Sequence, residues 1–482
     1  MSCLKSFRSG VRAAGRLCPL VPRPRHATRT YATVSASELQ FGQPVHETHP
    51  HILKAGEITP GITAQEYWDR RARLARQLPV GGVAILPSAD LKYRSGAVFH
   101  AFRQESNFLY LTGWNEADSL AIIQNTGEEW GDYTFQLYCL PKNPTAEQWG
   151  GPRNGVRAAE DIFNADLAAD IASIPSVLPK ILSKATRVYA DFDTPDARTS
   201  GVWSRLKADT SSWWPSSRLA LYPLLNNLRA IKSPAEIANM RRAGQISGRV
   251  ITEAMRRAWT KEKDLHNFLD YRFIADGCDG PAYIPVVGGG RNGMCIHYVL
   301  NNDVLHDGEL VLVDAGGEYG TYITDISRTW PVNGRFTPAQ RDLYQAVLTV
   351  QRRGVSLCRE DANVTLDDIH HQTTSGLHEE LKALGFDVNS RDVDRLFPHH
   401  VGHYVGLDVH DVPGYGRRTP LKSGHCVTIE PGLYIPDEER WPKHFRGLGV
   451  RIEDSVCVDE TSPFIFTTEA VKEVADIEAL RG

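Results

Sequence analysis

The sequence predicts an α+β protein, with an N-terminal mixed α/β domain followed by a larger domain of two similar α+β halves. In the first domain, short apolar runs typical of strands alternate with helical stretches. In the second, helices are followed by β-rich sequence, and this order occurs twice. The boundaries that these patterns predict are 1–30 for a leader, 31–61 for a connecting arm, 62–228 for the N-terminal domain and 229–482 for the C-terminal domain.

The composition is that of a folded globular protein. Of the 482 residues, 41% are hydrophobic and 23% are charged, which excludes a disordered acidic chain, a collagen and a coiled coil. The formal net charge of −4 conceals an uneven distribution, because residues 1–37 contain seven basic side chains and no acidic one. The remainder holds 47 basic and 58 acidic side chains, and this excess of acid argues against nucleic-acid binding. No apolar run approaches the ~18 residues of a membrane-spanning helix.

The leader has the Arg-rich, acid-free composition of a mitochondrial transit peptide. A disordered basic tail is the alternative, and a secretory signal is disfavoured because Pro19 interrupts the apolar stretch and Pro22 ends it. The segment Arg29-Thr30-Tyr31-Ala32 resembles the sites at which matrix presequences are cleaved. We therefore expect a protein of the mitochondrial matrix, free or peripheral to the inner membrane, whose mature chain starts at Tyr31 or Ala32.

Local signals predict the elements of the N-terminal domain. Thr63 and Glu66 form a capping-box pattern, which predicts a helix that continues to about Gln77. A further helical stretch is predicted at Glu160–Ile174. The apolar runs predicted to be strands are Val83–Leu86, Phe108–Leu111, Leu120–Ile123, Phe135–Leu140 and Val188–Phe192.

A second set of capping signals opens the C-terminal domain. Ser233 suits the N-cap, Pro234 suits the first helical position, and Glu236 completes a capping box. This pattern predicts a long helix that ends near Arg257, and another helical region is predicted at about 338–385.

The segment Gly288–Gly293 matches the glycine pattern GxGxxG of dinucleotide-binding proteins. That function requires a helix directly after the glycines, because the helix N-terminus binds the pyrophosphate. Met294–Val299 instead has the alternation of a strand. We therefore reject a nucleotide site and expect the glycines to let the backbone pass close to another site.

Four carboxylates and one imidazole stand in apolar, strand-like sequence in the last third of the chain. The first two aspartates are eleven residues apart, with three glycines between them, so they can meet across a hairpin. Singly, each acid is more often salt-bridged than a metal ligand, but together they match the charge of two divalent cations. An oxygen-rich set without thiolates favours Mn²⁺ or Co²⁺ over a structural zinc, and a two-metal site indicates hydrolysis. The five residues are Asp314, Asp325, His403, Glu430 and Glu453.

The motifs around these residues resemble those of the aminopeptidase P / prolidase family of metallopeptidases, which have the pita-bread fold. Upstream, Phe102–Gly113 resembles the signature of the family's N-terminal domain. The segments Gly42-Gln-Pro and Gly56–Gly61 resemble a mitochondrial subgroup, the Xaa-Pro aminopeptidase 3-like proteins and fungal intermediate-cleaving peptidases. The catalytic motifs are Asp314-Ala-Gly-Gly, Thr324-Asp-Ile-Ser-Arg, Gly402-His-Tyr-Val-Gly-Leu-Asp-Val-His-Asp, Thr428-Ile-Glu-Pro-Gly-Leu-Tyr and Arg451-Ile-Glu-Asp.

The resemblance implies a role for each site residue. Asp325 and Glu453 would bridge two divalent ions, expected to be manganese with cobalt or zinc as alternatives. Asp314 would complete one ion, while His403 and Glu430 would complete the other, and Glu430 would also shuttle protons. The remaining implied residues are His297 and His410, which would bind substrate, and His399, Arg451 and Tyr434, which would support the pocket and orient the ligands.

The resemblance also implies a function. We expect a mitochondrial aminopeptidase that removes one bulky residue, such as Tyr, Leu or Phe, from the N-termini of imported proteins after presequence cleavage, by attack of a hydroxide held between the metals. The alternative is an Xaa-Pro aminopeptidase or prolidase that acts on proline-containing peptides. A non-catalytic pita-bread scaffold and a creatinase-like hydrolase are disfavoured because the five ligand positions are intact. A homo-oligomer, most simply a dimer, is expected.

Overall fold

The structure is a computed structural model that describes residues 40–191, 202 and 218–481. The predicted leader 1–30 and its cleavage site lie outside the described residues, as does the end of the predicted strand at Phe192. Among the described residues, no helix combines the length and the apolar character needed to cross a membrane.

Helices dominate the C-terminal domain and flank the sheet of the N-terminal domain. The α-helices of the described residues are α1 (Ala64–Ala75), α2 (Ser106–Thr112), α3 (Pro144–Gly150), α4 (Gly155–Asp161), α5 (Ile174–Leu182), α6 (Tyr222–Ala230), α7 (Pro234–Arg256), α8 (Glu262–Ala275), α9 (Pro338–Ser356), α10 (Leu366–Ala383), α11 (Ser390–Leu396) and α12 (Val474–Ala479).

The strands are short. They are β1 (Glu57–Thr59), β2 (Ile62–Thr63), β3 (Gly82–Pro87), β4 (Tyr93–Ser95), β5 (Val98–Phe99), β6 (Leu120–Asn125), β7 (Tyr133–Cys139), β8 (Leu167–Asp170), β9 (Arg187–Tyr189), β10 (Gly280–Pro281), β11 (Val286–Gly289), β12 (Leu310–Asp314), β13 (Gly317–Tyr319), β14 (Tyr322–Ile323), β15 (Ser327–Pro331), β16 (Cys426–Ile429), β17 (Gly432–Tyr434), β18 (Gly449–Arg451), β19 (Asp454–Cys457) and β20 (Phe464–Ile465).

A five-stranded sheet in the order β8-β7-β6-β3-β9 organises the N-terminal domain. Its central strands β3 and β6 pair antiparallel, with Ile85 opposite Ile122. Both strands are buried because the apolar residues of each face pack against a separate hydrophobic cluster. The structure thus confirms the predicted strands at Val83–Leu86 and Leu120–Ile123, and it confirms Phe135–Leu140 except for Leu140, since β7 ends at Cys139.

The predicted strand at Phe108–Leu111 is wrong, because these residues lie in helix α2. Glu105 caps this helix by accepting a hydrogen bond from the backbone of Phe108 at 2.7 Å. Gly113 ends it in a left-handed conformation, with φ of 67°. A four-residue apolar run buried on all sides has no period, so its pattern could not distinguish the helix from a strand.

The predicted helix at Glu160–Ile174 is also wrong over most of its length. Helix α4 ends at Asp161, and Asn164 then adopts a left-handed conformation with φ of 59°. The chain continues as strand β8, which pairs parallel with β7 at the edge of the sheet. Edge pairing therefore overrides the helical preference of this Ala-rich sequence.

The arm is anchored to the N-terminal domain over its described part. Gly42 donates its backbone N–H to Asn154 at 2.9 Å, and the Gln43 amide donates to the carbonyl of Gly113 at 2.9 Å. Leu53 is buried, and β1 pairs with β2 just before helix α1. The boundaries 31–61, 62–228 and 229–482 stay predictions.

The predicted capping box of helix α7 is present in full. Ser233 accepts from the backbone of Glu236 at 3.2 Å, and Glu236 accepts from the backbone of Ser233 at 2.8 Å. At helix α1 the N-cap is confirmed, since Thr63 accepts from Glu66 at 3.2 Å. The capping box predicted here is not completed, because the Glu66 carboxylate instead binds Arg70 and the Ser233 hydroxyl. These contacts join helices α1 and α7.

The C-terminal domain has the two-part order that the sequence predicts. Helices α7 and α8 precede the sheet β11-β12-β15, and helices α9 and α10 precede the sheet β16-β19-β20. One hydrophobic cluster runs through both parts, from Ile246 in α7 to Val456 in β19. The backbone N–H of Glu453, just before β19, donates to the carbonyl of Ser327 in β15 at 3.0 Å, which joins the two sheets.

The glycine segment after β11 differs from the prediction. Gly290–Met294 forms a 3-10 helix, and no strand follows between Met294 and Val299. Met294, Ile296 and Tyr298 alternate because they pack against a small buried cluster around Leu312. Their alternation reflects this packing and not sheet pairing. The structure also places no α-helix directly after the glycines, as a dinucleotide site would require.

Candidate metal centre

Strand register brings the first two aspartates together. Asp314 ends β12 and lies opposite Ser327 of β15, and Asp325 precedes β15 by two residues. The chain between them makes an excursion through β13 and β14 and turns at Gly320, where φ is 55°. The predicted hairpin approach of the two aspartates is therefore present, with two short strands inserted into the connection.

The last two glutamates meet in the same way in the second half. Glu430 follows β16 and Glu453 precedes β19, and these strands pair with Ile429 opposite Asp454. Thr428 donates its backbone N–H to the His403 carbonyl at 2.9 Å. The motif segment that carries His403 thus lies beside the strand that leads to Glu430.

Each half has a close backbone crossing beside a candidate ligand. A Cβ atom on Gly316 would lie 1.9 Å from the carbonyl oxygen of Thr324, and one on Gly402 would lie 1.9 Å from that of Thr428. Any side chain at either glycine would displace the backbone next to a candidate ligand. The glycines in the two motifs therefore permit the convergence of the site.

The imidazole of His403 is oriented toward the carboxylates. Its Nδ1 donates to the carbonyl of Tyr404 at 3.0 Å. Nε2 then faces Asp325 Oδ2 and Glu430 Oε1, each at 3.5 Å. In a neutral ring this nitrogen is an acceptor that faces two further acceptors, an arrangement suited to holding a cation between them.

A three-residue cluster fits a metal ion directly. Asp325, His403 and Glu453 each present one ligand atom, and these atoms all lie within 4.8 Å of one another. Among the described residues, Glu453 Oε1 is buried and has no hydrogen-bond partner. A buried carboxylate oxygen without a donor is costly unless a cation neutralises it, so the donor set fits a divalent metal.

The charge of the cluster is reflected in its pKa values. Burial and the nearby Asp325 raise the pKa of Asp314 to about 7. Burial, with the carboxylates of Asp325 and Glu430, raises the pKa of Glu453 well above its usual range. Burial alone would lower the pKa of His403, but Asp325 and Glu430 raise it to about 9. Neighbouring carboxylates contribute to all three shifts, and divalent cations would relieve this negative charge.

Arg451 of β18 connects its own sheet, β17-β18, to the sheet β11-β12-β15 beside the cluster. Its guanidinium donates to Asp314 Oδ2 at 2.6 Å, to the Ser327 hydroxyl at 2.7 Å and to the Tyr434 hydroxyl at 2.8 Å. Ser327 in turn donates to Glu453 Oε2 at 2.7 Å. Arg451 is thus bonded to Asp314 directly and to Glu453 through one hydroxyl.

His399 lies on the other side of Tyr434. Its Nδ1 donates to the carbonyl of His400 at 2.9 Å, so Nε2 accepts from the Tyr434 hydroxyl at 3.0 Å. Burial and the charge of Arg451 lower the pKa of His399 to about 4, and the ring is neutral at physiological pH. His399 Nδ1 also lies 3.9 Å from Glu430 Oε2.

The two predicted substrate histidines lie on the exposed side of the cluster. The ring of His410 stands edge-on to His403, with 4.4 Å between ring centroids. His297 is exposed and close enough to contribute to the lowered pKa of His410, which burial and the charge of His403 mainly cause. Every predicted site residue is therefore gathered in or beside one centre.

Sequence reasoning missed Tyr283. Its hydroxyl donates to Asp314 Oδ1 at 2.6 Å and also contacts Asp325 Oδ1. The residue lies three positions before β11, whose first residue Val286 is opposite Asp314. Correct pairing of the buried run 286–289 with β12 would have placed Tyr283 near the aspartates.

The comparisons with known proteins agree with this geometry. Residues 67–189 match the family model described as Aminopeptidase P, N-terminal domain, and residues 238–460 match Metallopeptidase family M24. The chain is 45% identical to Intermediate cleaving peptidase 55 of Saccharomyces cerevisiae, over 95% of this chain and 92% of the relative. It is 36% identical to Xaa-Pro aminopeptidase 3 of Homo sapiens, over 96% of this chain and 95% of the relative.

Two further likenesses extend the comparison. Intermediate cleaving peptidase 55, mitochondrial, of Arabidopsis thaliana is 34% identical over 93% of this chain and 89% of the relative. The crystal structure of Icp55 from Saccharomyces cerevisiae, with 58 N-terminal residues deleted, superposes with a TM-score of 0.82 at 44% identity. That match covers 89% of this chain and 99% of the crystallised chain.

Fold and site together define a metalloaminopeptidase with the pita-bread fold, as the motifs predicted. The chain belongs to metallopeptidase family M24 and carries an aminopeptidase P N-terminal domain. Membership implies divalent metal ions, for which the cluster of Asp325, His403 and Glu453 offers a site.

Proposed function

We propose that the protein removes a single bulky N-terminal residue, such as Tyr, Leu or Phe, from imported mitochondrial proteins after presequence cleavage. No proline is required at the second position. The observation that carries this proposal is the gathering of Asp325, His403 and Glu453 into a candidate metal site, in a chain that is 45% identical to an intermediate cleaving peptidase over 95% of its length.

The proposed place of action is the mitochondrial matrix. The Arg-rich, acid-free residues 1–30 support import, since they have the composition of a transit peptide. The Arabidopsis relative is named as a mitochondrial peptidase, which supports the same compartment. The enzyme is free in the matrix or peripheral to the inner membrane, and it acts on newly exposed protein N-termini.

The proposed centre holds two divalent ions. Asp325 and Glu453 would bridge them, Asp314 would complete one, and His403 and Glu430 would complete the other. Carboxylates and one imidazole suit Mn²⁺, with Co²⁺ and Zn²⁺ as alternatives. When bound, such ions polarise a scissile carbonyl and activate water for hydrolysis.

Glu430 is proposed as the proton carrier. Thr428 donates to its Oε1 at 3.4 Å, while Oε2 faces His399 at 3.9 Å. At 3.4 Å the Thr428 contact is weak, so it leaves the lone pairs of the carboxylate available. Glu430 would accept a proton from the attacking water and pass it to the leaving amine.

His297 and His410 are proposed to bind the substrate. Both side chains are exposed beside the cluster, and neither takes part in the ion pair between Arg451 and Asp314. A neutral imidazole can donate one hydrogen bond to the scissile carbonyl, and this bond strengthens as negative charge develops on the oxygen.

A second candidate function is Xaa-Pro aminopeptidase activity, with prolidase activity on dipeptides as its variant. The 36% identity to human Xaa-Pro aminopeptidase 3, over 96% of this chain, favours it. Both functions use the same metal centre. They differ in the residue required at the second position of the substrate, which is proline for the Xaa-Pro aminopeptidase and unrestricted for the leading proposal.

Matched peptides separate the two candidates. Peptides that begin Tyr-Ala, Leu-Ser and Tyr-Pro, and otherwise share one sequence, are incubated with the manganese-loaded enzyme and analysed by mass spectrometry. The Tyr-Ala and Leu-Ser peptides should each lose one residue and no more. An N-acetylated Tyr-Ala peptide and Glu430→Gln serve as inactive controls. Cleavage confined to Tyr-Pro would overturn the leading proposal in favour of the second.

A further inference from the structure

A fully buried ion cluster lies directly behind the exposed histidine of the site. The carboxylate of Asp411, the residue after His410, binds Arg229 at 2.5 Å and Lys232 at 2.9 Å. The side chains of Arg229, Lys232 and Asp411 are 3%, 1% and 1% exposed. The proposed function uses none of these three residues.

The loop that carries His410 is folded around this cluster. The backbone N–H of Asp411 donates to the carbonyl of Tyr404 at 2.8 Å, the same oxygen that accepts from His403 Nδ1. A Cβ atom on Gly406 would lie 2.6 Å from Asp411 Oδ2 and 2.8 Å from Lys232 Cε. The loop 404–411 therefore closes tightly over the ion cluster, with His403 at one end and His410 at the other.

The N-terminal domain contributes to the same cluster. Arg229 donates to the Asn107 side-chain oxygen at 2.6 Å and to Asp408 Oδ2 at 2.7 Å. Ser106 donates to Asp408 Oδ1 at 2.6 Å. Ser106 and Asn107 of helix α2 thus bind both partners of the Arg229–Asp408 ion pair, which helps to hold the loop.

Asp411 has no free oxygen for chemistry of its own. Oδ2 receives Lys232, and Oδ1 receives Arg229 and, at 3.3 Å, the backbone N–H of Asp408. The two cations also hold its pKa below the usual range, against the effect of burial. Since the carboxylate is enclosed, it can act on the reaction only by fixing the position of its neighbours.

We propose that Asp411 is a positioning residue for His410, and that Arg229 and Lys232 fix its carboxylate so that the His410 ring stays where the substrate carbonyl binds. Through Ser106 and Asn107, the aminopeptidase P domain takes part in this positioning. The inference rests on the proposed role of His410 in substrate binding.

The test is a double-mutant cycle on the manganese-loaded enzyme with a Tyr-Ala peptide. Asp411→Asn keeps the shape of the side chain but weakens the contacts with both cations, and we expect kcat to fall about 10- to 100-fold, as for residues that orient active-site groups. KM and the bound manganese per protein should stay within about threefold of wild type, as expected of a change that acts mainly in the transition state.

The cycle is completed by His410→Ala with and without Asp411→Asn. If Asp411 acts through His410, its substitution should cost less than about twofold in kcat once the ring is absent. A loss as large as in the wild-type background would overturn the inference, because Asp411 would then act elsewhere. Wild-type kcat for His410→Ala would overturn both the role of His410 and the inference.

Two further variants guard against general destabilisation. Asp408→Asn loosens Arg229 at a site whose carboxylate is 37% exposed, and it should lower kcat in the same direction while the protein stays folded. Glu469→Gln removes a partly buried ion pair with Arg241, at 2.6 Å, in another part of the domain. Its kcat should equal that of wild type, and an equal loss in Glu469→Gln and Asp408→Asn would overturn the inference.

Discussion

The Tyr283 hydroxyl lies 2.6 Å from Oδ1 of Asp314 and donates a hydrogen bond to it. The same hydroxyl contacts Oδ1 of Asp325, so one phenol spans the two aspartates that open the candidate metal centre. Burial and these carboxylates raise the pKa of Tyr283 well above its ordinary value. The phenol therefore stays protonated at neutral pH and remains a donor.

Replacing Tyr283 by Phe should weaken the metal centre without unfolding the domain. The ring is retained, but the aspartates lose the donor that sets their orientation, and such losses typically cost about 10- to 100-fold in metal affinity or activity. Manganese binding by calorimetry and kcat on a Tyr-Ala peptide measure the effect. Tyr271→Phe, at a tyrosine that is 68% exposed, is the matched control. Unchanged affinity and kcat in Tyr283→Phe would contradict the account.

Divalent metal should stabilise the protein. Binding to the folded state alone adds about 2.7 kcal/mol when the free ion is at 100 times its Kd. The melting temperature should therefore be higher with manganese than with a chelator. Asp325→Asn and Glu453→Gln should lose most of this difference, because they remove two of the clustered ligand atoms.

Glu469→Gln, which breaks an ion pair outside the centre, should keep the full manganese effect on the melting temperature. Equal melting temperatures with manganese and with the chelator in the wild type would contradict the assignment of the centre.

Arg451→Lys should impair catalysis although it keeps the positive charge. The guanidinium reaches Asp314, Ser327 and Tyr434 at once, and one ammonium group on a flexible stem cannot reproduce that geometry. We expect kcat to fall about 10- to 100-fold. Steady-state kinetics on the matched peptides test this, with Arg241→Lys as a control away from the centre. Wild-type kcat in Arg451→Lys would contradict the proposed orienting role.

His425 should make the metal-free protein less stable in mild acid. Burial, with the charges of Lys232 and Lys422, lowers its pKa to about 4. The unfolded chain, with a pKa of about 6.5, binds the proton first, so stability falls as the pH drops from about 6.5 toward 4. Between pH 7 and pH 5 this one residue should cost about 2 kcal/mol of unfolding free energy.

The measurement is urea unfolding at pH 7 and pH 5 in the presence of a chelator. His425→Gln should lose about 2 kcal/mol less than wild type over this interval. The exposed His444 provides the control, since His444→Gln should lose as much as wild type. An identical pH dependence in wild type and His425→Gln would show that the imidazole is not held neutral by burial.

Local signals made much of the fold and of the site predictable. The helix that follows Ser233 begins where its capping residues predicted, because those contacts lie within one turn. Asp314 and Asp325 meet because the chain between them is short and rich in glycine. These features depend on interactions between residues that are close in the sequence, so a sequence pattern can predict them.

The features that escaped prediction depend on distant pairing. Phe108–Leu111 carries no period because it is buried on all sides, and Met294–Val299 alternates without a strand partner. Tyr283 enters the site only through the register of β11 with β12. The partners of Asp411 lie 182 and 179 residues earlier in the chain, at Arg229 and Lys232.

The central claim is that the protein trims one bulky residue from imported mitochondrial proteins, and N-terminal proteomics tests it most directly. Mitochondria are compared from cells that have the protein, lack it, or carry Glu430→Gln. The account predicts that, without activity, a set of matrix proteins begins one residue earlier, with Tyr, Leu or Phe exposed. Identical N-termini in all three samples, or changes confined to chains with proline in second position, would contradict it.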